Sequence, residues 1–432
     1  MIDEHDVREL LRRRADTIPA TLADTPQAVR RARRRLVLNG VVTTVAAAAA
    51  VIAVATFAGV DAIRSAPIPA GPNIPTLGPA TNGWVAVDAY QGGGDIYLVR
   101  PGEVARRLEV KGWDAASEAC PAWSPDGSRL MFGRVTGSSG TTSDAELVIV
   151  PVGQNGAAGT PTVIGLAGFE VLDGFAAHPC GTWAPDGRWV AFAGTGEVWV
   201  VDTQTGAIRQ LPDLRPSDLE WRPGTDELAI SGDMGMNREA PTLSTPVTMY
   251  SVSTGELRRL GSVEAAQITW SPDGTTLAYT GGETDARELW LVDGDGANER
   301  LLVADLGEAN HGIGPVWSPT GDRIAYQRII AGGREAHEVV LVDVADGTET
   351  VIEPPMADGR VWYPFTVSWA PDGTTLLYAA WSEDGKALPG GVIAVPADMP
   401  SDATVLTDAI DPVPDYYSHR WAPNQMWGRQ PG

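Results

Sequence analysis

The sequence predicts an all-β protein, a seven-bladed β-propeller preceded by an N-terminal cytoplasmic helix and a single transmembrane helix. Three observations carry this prediction: a tryptophan–proline phrase that recurs along the chain, a second hairpin type between its copies, and one long uncharged segment near the N-terminus. The 49 glycines and 33 prolines among the 432 residues favour turns over long helices. One large β domain with terminal extensions accounts for this length and composition.

The first 35 residues differ in charge from the rest of the chain. They hold nine arginines against six acids and carry +3, while the whole chain carries −23, which leaves −26 for residues 36–432. A domain this acidic repels phosphate backbones, so the sequence predicts no nucleic-acid partner. Residues 1–35 predict an Arg-rich helical segment that docks a cytoplasmic regulator; a solvated or membrane-surface helix is the alternative.

The apolar segment at residues 36–60 contains no charged residue and is long enough to cross a hydrocarbon core of about 30 Å as a helix. The arginine cluster RRARRR ends directly before it, which predicts a cytoplasmic N-terminus and an extracytoplasmic remainder in the cell membrane. A cleaved signal peptide is the alternative, although its apolar region is usually shorter. Residues 61–81 are Pro-rich and predict an extended stalk.

The recurring phrase, WSPDG in its commonest form, predicts one tight hairpin in each blade. Proline fixes φ, aspartate accepts amide hydrogens within the turn, and glycine tolerates a positive φ. Successive copies lie 38 to 60 residues apart, the length of a small antiparallel sheet with its loops, and the last copy is degenerate. The tryptophans of the phrase are Trp123, Trp183, Trp221, Trp270, Trp317, Trp369 and Trp421.

Seven hairpins of a second type alternate with the phrase, for example EVWVVDTQTGAIRQLP at 197–212. The first of them follows only a lone strand at 83–90, and the phrase at Trp421 has no strand after it. Pairing of the strand that ends near Trp421 with the lone strand would complete a seventh sheet and close the ring. The propeller is therefore predicted over 82–425 with a tail at 426–432, and six blades are the alternative.

The phrase, followed by strands such as TLAY and LWLVD, resembles the TolB-type, WD-repeat-like propeller family over about four fifths of the chain. The resemblance implies the fold; the family includes protein-interaction modules as well as gating domains of peptidases. We expect no peptidase domain, because only a few residues follow Trp421 and no GxSxG nucleophile motif is visible. The membrane-anchored arrangement also resembles actinobacterial envelope proteins associated with sigma-factor regulation, although residues 1–35 lack the His and Cys spacing of zinc-binding anti-sigma domains.

Positions five and six residues before each phrase tryptophan differ from blade to blade and gather ionisable and aromatic side chains. The strand ending at the tryptophan is normally innermost in a propeller, so these positions are predicted to lie near one mouth of the central channel. They predict a polar mouth that binds a peptide, a small ligand or a cation; side chains that merely face water are the alternative. The candidates are Glu118, His178, Arg215, Glu264, His311, Tyr363, Asp415 and Tyr416.

No catalytic or metal-binding set is predicted. Nothing in the sequence places an acid, a base and a nucleophile within hydrogen-bond reach. Zinc needs several converging ligands, and His178, His311 and Glu118 are only a conceivable trio. The DGDG sequence at 293–296 is typical of a hairpin turn. We therefore predict neither a metal nor another cofactor.

The two cysteines predict a disulfide. Cys120 and Cys180 each stand three residues before a phrase tryptophan in neighbouring copies, and equivalent positions on adjacent inner strands lie close together. The predicted location outside the membrane permits oxidation, whereas two free buried thiols are the alternative. The phrase tryptophans themselves are predicted to pack between blades instead of stacking on carbohydrate.

These features predict a single-pass envelope protein whose extracytoplasmic propeller binds a protein, a peptide or a cell-wall ligand. Signalling to a cytoplasmic partner is an extension of this hypothesis. The protein is predicted not to be an enzyme. The alternative of another class is an extracytoplasmic lyase or hydrolase that uses His178 or His311 at the channel mouth.

Overall fold

The computed structural model describes most of the chain from residue 79 onwards. The predicted cytoplasmic segment 1–35, the apolar segment 36–60 and the stalk up to residue 78 lie outside the described residues. No described helix combines the length and the apolar composition needed to cross a membrane. The described ranges are 79–89, 95–110, 117–136, 144–169, 180–193, 197–212, 214, 216, 218–232, 244–283, 286–306, 314–329, 337–353, 356–357, 360–382, 390–406 and 427–429.

Seven antiparallel sheets make up the described residues, which confirms the predicted all-β, seven-bladed propeller over the six-bladed alternative. Six of these sheets have four strands and one has five. We number the blades 1 to 7 in the chain order of their innermost strands. Blade 7 therefore contains the first three strands of the chain together with the last one.

The bounds of the strands, blade by blade, are as follows. Blade 7 contains β1 (Asn82–Ala89), β2 (Asp95–Val99), β3 (Arg106–Arg107) and the C-terminal β29 (Trp427–Arg429). Blade 1 contains β4 (Ser117–Trp123), β5 (Arg129–Thr136), β6 (Asp144–Pro151) and β7 (Thr162–Gly165). Blade 2 contains β8 (Gly181–Trp183), β9 (Trp189–Ala193), β10 (Glu197–Asp202) and β11 (Ile208–Pro212). Blade 3 contains β12 (Asp218–Trp221), β13 (Glu227–Ser231), β14 (Thr245–Ser251) and β15 (Leu257–Ala265).

The remaining three blades continue in the same order. Blade 4 contains β16 (Gln267–Trp270), β17 (Thr276–Glu283), β18 (Ala286–Asp293) and β19 (Arg300–Val303). Blade 5 contains β20 (Val316–Trp317), β21 (Arg323–Ile329), β22 (His337–Asp343) and β23 (Glu349–Ile352). Blade 6 contains β24 (Met356–Ala357), β25 (Arg360–Trp369), β26 (Thr375–Ser382), β27 (Gly390–Pro396) and β28 (Thr404–Val405), with a 3-10 turn at Pro400–Asp402.

The ring is closed by pairing between the two ends of the propeller. Strand β29 pairs antiparallel with β1, placing Arg429 opposite Asn82 and Trp427 opposite Val85. The sequence placed the closing strand before Trp421, which lies outside the described residues. The strand that the structure pairs with β1 instead belongs to the segment assigned to the tail. It covers the inner edge of β1, which would otherwise present unpaired backbone groups.

The hydrophobic core is divided among the seams between blades. Each of the seven described clusters of buried side chains joins two neighbouring blades, and together they run around the ring. Six phrase tryptophans lie in six of these seams with at most 4% of their surface exposed. The seventh, Trp421, lies outside the described residues. The stability of the ring therefore depends on contacts between blades as well as on pairing within them.

Four of these tryptophans also make one hydrogen bond that repeats from seam to seam. The acceptor in each case is the backbone carbonyl of the residue before the preceding phrase tryptophan. The indole N–H groups of Trp183, Trp221, Trp317 and Trp369 donate to the carbonyl oxygens of Ala122, Thr182, Thr269 and Val316 at 3.0 to 3.2 Å. Tryptophan recurs at this place because its ring fills the seam while its N–H fastens the blade to its neighbour.

The Pro-Asp-Gly turn has the chemistry expected from the sequence. In blade 1 the Asp126 carboxylate accepts the backbone N–H of Ser128 at 3.1 Å, and Gly127 has a φ of +69°. The same arrangement recurs in blade 4, where Asp273 accepts the N–H of Thr275 at 3.0 Å. A short polar side chain and a glycine thus reverse the chain within the turn.

Candidate functional site

The innermost strands place the predicted mouth residues. Strands β4, β8, β12, β16, β20 and β25 contact one another in that order around the axis. Each ends at a phrase tryptophan and runs into a hairpin turn, so the starts of these strands lie at the opposite end, the predicted mouth. Five of the candidates lie outside the described residues and stay predictions: His178, Arg215, His311, Asp415 and Tyr416.

Glu264 lies elsewhere than its distance from Trp270 suggested. It lies in β15, the fourth strand of blade 3, opposite Pro246, and its side chain is exposed. The inner strand β16 begins at Gln267, with a single residue between the two strands, so it is too short to reach back to position 264. Tyr363 does lie in an inner strand, β25, opposite Trp381. Glu264 is therefore not at the mouth end of an inner strand.

Glu118 lies at the mouth end of β4, in the seam between blades 7 and 1. It is 8% exposed, and its carboxylate accepts no hydrogen bond and forms no salt bridge with any described residue. It stands opposite Arg134 on β5, which in turn stands opposite Glu146 on β6. Residues paired across strands point to the same face of a sheet, so these three side chains form one row.

Two arginines near Glu118 are already paired with other acids. Arg134 donates to the Glu146 carboxylate through Nε at 2.7 Å and through Nη2. On blade 7, Arg107 donates through Nη2 to Asp95 at 2.6 Å. We call these five residues, Asp95, Arg107, Glu118, Arg134 and Glu146, the Glu118 site. Within it, Glu118 is the acid without a hydrogen-bonding cation.

The surroundings of Glu118 favour its neutral form. Burial raises the pKa of its carboxyl from 4.5 to about 7, and the nearby Asp95 carboxylate adds to this increase. The positive charges of Arg134 and Arg107 oppose the shift without cancelling it. A buried carboxyl without a donor is expected to behave in this way, because losing water penalises the charged form. The group therefore changes charge near neutral pH.

The predicted disulfide is present beside this site. Cys120 and Cys180 are bonded, with their Cα atoms 5.0 Å apart, and they join the inner strand of blade 1 to the chain just before β8. Cys120 has a φ of +59°, and the pairing of β4 with β5 shifts register between Ala119 and Ala122. Its backbone N–H donates to the buried Asp88 carboxylate at 2.9 Å. The bulge and the disulfide thus fix the strand two residues from Glu118.

A second pair of acids, in the seam between blades 3 and 4, was missed by the sequence analysis. Asp218 accepts the backbone N–H of Ile268 at 2.8 Å, and Glu220 accepts from the N–H of Trp270 and the hydroxyl of Thr269, both at 3.3 Å. Burial raises the pKa of the Glu220 carboxyl to about 8, and the Asp218 charge adds to this. Alignment on the tryptophans would have revealed both acids, because they stand three and one positions before Trp221.

Replacement of Glu220 by Gln is expected to flatten the dependence of stability on pH. The folded state holds this proton up to about pH 8 and the unfolded state only to about 4.5, so the stabilisation is complete below pH 4.5 and is lost as the pH rises through 8. With allowance for partial solvent access, the loss is about 2 to 4 kcal/mol. The Glu220→Gln variant keeps an acceptor for the N–H of Trp270 and does not lose stability in this way as the pH rises. At pH 8.5 the urea midpoint of this variant should therefore exceed that of the wild type.

The exposed Glu353 offers a matched control for this experiment. Glu353→Gln makes the same chemical change on the surface and should keep the wild-type slope of stability against pH. The assignment fails if Glu220→Gln loses stability between pH 5 and pH 8.5 as steeply as the wild type does.

A groove lies at the other end of the propeller, between blades 6 and 7. It has a volume of about 540 Å³, and Asn82, Arg100, Thr375 and Asp402 are among its lining residues. The side-chain amide of Asn82 donates a hydrogen bond to the carboxylate of Asp372 in the adjoining hairpin turn at 2.7 Å. The groove therefore borders the closing seam on the side of the turns, away from Glu118.

No set of metal ligands comes together in the described part of the chain: no three His, Cys, Asp or Glu side chains are placed to hold a metal ion there. Of the trio considered from the sequence, only Glu118 is among those residues. The site as described consists of the carboxylates and guanidinium groups named above.

Comparison with known proteins gives likenesses of limited extent. No protein-family model matches the chain. Over 104 residues, 23% of this chain, it is 35% identical to a Grosmannia clavigera sequence described as a probable dipeptidyl-aminopeptidase B. That stretch spans only 10% of the length of the relative.

Solved structures similar to this chain include a protein described as TolB from Agrobacterium tumefaciens, with 18% identity over 57% of this chain and 87% of that one and a TM-score of 0.40. An oligogalacturonate lyase from Vibrio parahaemolyticus has 14% identity over 76% of this chain and 86% of that one, with a TM-score of 0.44. Such low identities and TM-scores carry no argument about function. The chain is a seven-bladed β-propeller on the evidence of its own strand pairing, and a TolB protein is among its structural neighbours.

Proposed function

We propose that this protein is a membrane-anchored, extracytoplasmic propeller that binds a protein or peptide partner at its mouth, and that it is not an enzyme. A cell-wall ligand is the other member of the same class. Binding would take place at the Glu118 site, and residues 1–35 could pass the occupied state to a cytoplasmic regulator. This function accounts for the difference between the repeated tryptophans and turn residues, which hold the blades together, and Glu118, which bonds to no described residue.

The observation that carries the proposal is the unpaired carboxylate of Glu118. A carboxyl that is largely removed from water normally has a hydrogen-bond partner in the protein or in ordered water. Glu118 is 8% exposed and has no such partner among the described residues. A donor supplied by a bound partner would satisfy it.

The disulfide and the N-terminal sequence support the proposed location. Stable disulfides form in oxidising compartments outside the cytoplasm. The bond between Cys120 and Cys180 lies in the propeller, which follows the uncharged segment 36–60 and the arginine cluster before it. The topology predicted from charge therefore agrees with the chemistry of the cysteines.

Photo-crosslinking in native cells tests the binding function. The exposed Glu109 follows β3 near the Glu118 site, whereas Val104, which is 78% exposed, lies in the hairpin at the far end of blade 7. With p-benzoylphenylalanine at position 109 of the full chain, ultraviolet light should yield a defined adduct that mass spectrometry identifies. The same residue at position 104 should not yield it, and Glu118→Gln should abolish the adduct from position 109.

One observation favours the alternative, an extracytoplasmic lyase or hydrolase. A carboxyl with a pKa of about 7 suits general acid–base chemistry as well as binding. The crosslinking experiment separates the two classes, since a binding module gives a stable partner adduct that survives alanine at both His178 and His311. Identical adducts from positions 104 and 109, or adducts unaffected by Glu118→Gln, would contradict the binding function.

A further inference from the structure

We infer that the Glu118 site takes a single positively charged group, the ammonium or guanidinium group of a basic side chain. This inference rests on the proposed function and specifies the chemistry of its partner. It depends on three observations: how the charges around Glu118 are already paired, which way Arg134 points, and how small the exposed fraction of the Glu118 residue is.

The five residues of the Glu118 site leave one negative charge unpaired, while the neighbouring buried carboxylate of Asp88 accepts the backbone N–H of Cys120. Three acids and two arginines meet there, and each arginine already holds an acid: Arg107 is bonded to Asp95, and Arg134 to Glu146. The third acid, Glu118, feels Asp95, Arg134 and Arg107 electrostatically but bonds to none of them. A ligand with one positive charge would neutralise the site, whereas an anion would meet the uncompensated carboxylate.

The row across blade 1 explains why Arg134 does not fill this role. Arg134 stands directly between Glu118 on the inner strand and Glu146 on the third strand. Its guanidinium is turned to the outer neighbour, to which it donates through both Nε and Nη2. The side chains of Arg134 and Glu146 are 11% and 25% exposed, so separating this partly buried pair would leave charges poorly solvated. The inner carboxylate is therefore left to an external donor.

A positively charged side chain would stabilise the ionised carboxylate of Glu118 better than water does. The residue is 8% exposed, so water can solvate its charged form only in part. An ammonium or guanidinium group offers several N–H donors and a full positive charge, and charge-assisted hydrogen bonds of this type are roughly twice as strong as neutral ones. The carboxylate of Asp95 on the neighbouring blade adds to the negative potential at Glu118.

The site also predicts how binding depends on pH. The charged groups facing Glu118 are Asp95 and Arg107 from blade 7 and Arg134 from its own blade, with Glu146 beyond Arg134. A cation needs the ionised carboxylate, and with a pKa of about 7 the ionised fraction rises about tenfold between pH 6 and pH 8. Cation binding should strengthen by the same factor over this range.

A peptide array probed with the purified full-length protein tests the inference. The array holds random pentapeptides with Lys, Arg, norleucine or Glu fixed at the centre. Lys or Arg peptides should be retained at least tenfold better than norleucine peptides at pH 8, and their advantage should fall about tenfold at pH 6. Glu118→Gln should remove the advantage, while the surface control Glu353→Gln should keep it.

A second variant tests the pairing without touching Glu118. Glu146→Gln removes the acid that holds Arg134, so the guanidinium becomes free to turn to Glu118 and fill the site from within. This variant should lose the preference for Lys and Arg as fully as Glu118→Gln does. It also keeps the inference testable if Glu118→Gln does not fold, which its thermal midpoint would show.

Three outcomes would overturn the inference: norleucine or Glu peptides retained as well as Lys peptides, a preference that survives both variants, or retention that does not change with pH. These results are distinct from a failure of the proposed function. A partner adduct at position 109 without preference for basic peptides would remove the inference and leave the function standing. A preference for basic peptides without an adduct at position 109 would contradict the proposed partner in cells and leave the charge preference of the site standing.

Discussion

Deletion of residues 427–432 is expected to open the ring and destabilise the propeller by about 5 kcal/mol. The deletion removes β29, the innermost strand of blade 7, and exposes the inner edge of β1 at Asn82 and Val85. The hydrogen bonds lost contribute about 1 kcal/mol each, and apolar surface at the closing seam becomes accessible to water. Differential scanning calorimetry should show a lower midpoint, and light scattering should show self-association through the free edge.

Deletion of residues 430–432 alone keeps β29 and provides the control, which should behave like the wild type.

A point substitution tests the same seam. A Cβ atom added at Gly127 would lie 2.0 Å from the backbone oxygen of Arg429, whereas one added at Gly255 would have no atom within 4 Å. Both glycines have a similar positive φ, +69° and +73°, so Ala at either position costs about 1 to 2 kcal/mol of backbone strain.

Only Gly127→Ala should add the cost of moving β29, about 1 to 3 kcal/mol more by analogy with overpacked cores. The difference between the two alanine variants therefore measures the contact between the closing strand and blade 1. Equal midpoints for the two variants, together with a wild-type midpoint for the long deletion, would show that β29 does not hold the ring closed.

The blades could be predicted from sequence because their signals are local. The turn at Asp126 and Gly127 needs only a proline, an acceptor side chain and a positive φ within five residues. The disulfide was predictable for a related reason: Cys120 and Cys180 each stand three residues before a phrase tryptophan, and the inner strands of consecutive blades lie side by side. Local chemistry, repeated at a fixed period, was enough for both.

The features that escaped prediction depend on neighbouring blades or on loop lengths. Counting six residues back from Trp270 gave Glu264, but the connection between β15 and β16 is a single residue, so the count leaves the inner strand. Alignment on the tryptophans places Glu220 directly before Trp221, but the contact of its carboxylate with the backbone N–H of Trp270 in the next blade depends on how the two blades pack. The closing strand Trp427–Arg429 has no repeat pattern of its own, since its position is set by β1.

For Glu118, the position in the chain could be predicted from the sequence but the pairing of its carboxylate could not. Its place before Trp123 predicted a residue near the start of an inner strand, and Glu118 is the second residue of β4; its role at a mouth stays a prediction. Glu118 and Glu146 both stand opposite Arg134 in the sheet. The sequence therefore could not show that Arg134 would pair with Glu146 and not with Glu118. Only the direction of that one guanidinium decides which glutamate is left for a ligand. A binding prediction at this site therefore requires side-chain geometry.

Removal of the disulfide is expected to lower stability by about 3 to 4 kcal/mol. The bond closes a loop of 60 residues, and the chain-entropy estimate for a loop of this length is about 4 kcal/mol. In the Cys120→Ser, Cys180→Ser double variant the urea midpoint should fall accordingly under non-reducing conditions. A reductant should shift the wild type towards the midpoint of the double variant while leaving the double variant unchanged.

The backbone at Cys120 offers a second comparison. Its φ of +59° lies in the left-handed region, which costs a residue with a side chain about 1 to 2 kcal/mol and glycine almost nothing. With the disulfide gone, Cys120→Gly, Cys180→Ser should therefore be more stable than Cys120→Ser, Cys180→Ser, because the bulge and its hydrogen bond to Asp88 persist without strain. If instead the glycine variant is the less stable of the two, the left-handed bulge is not retained in solution, and the disulfide, not the local backbone, holds the strand beside Glu118 in place.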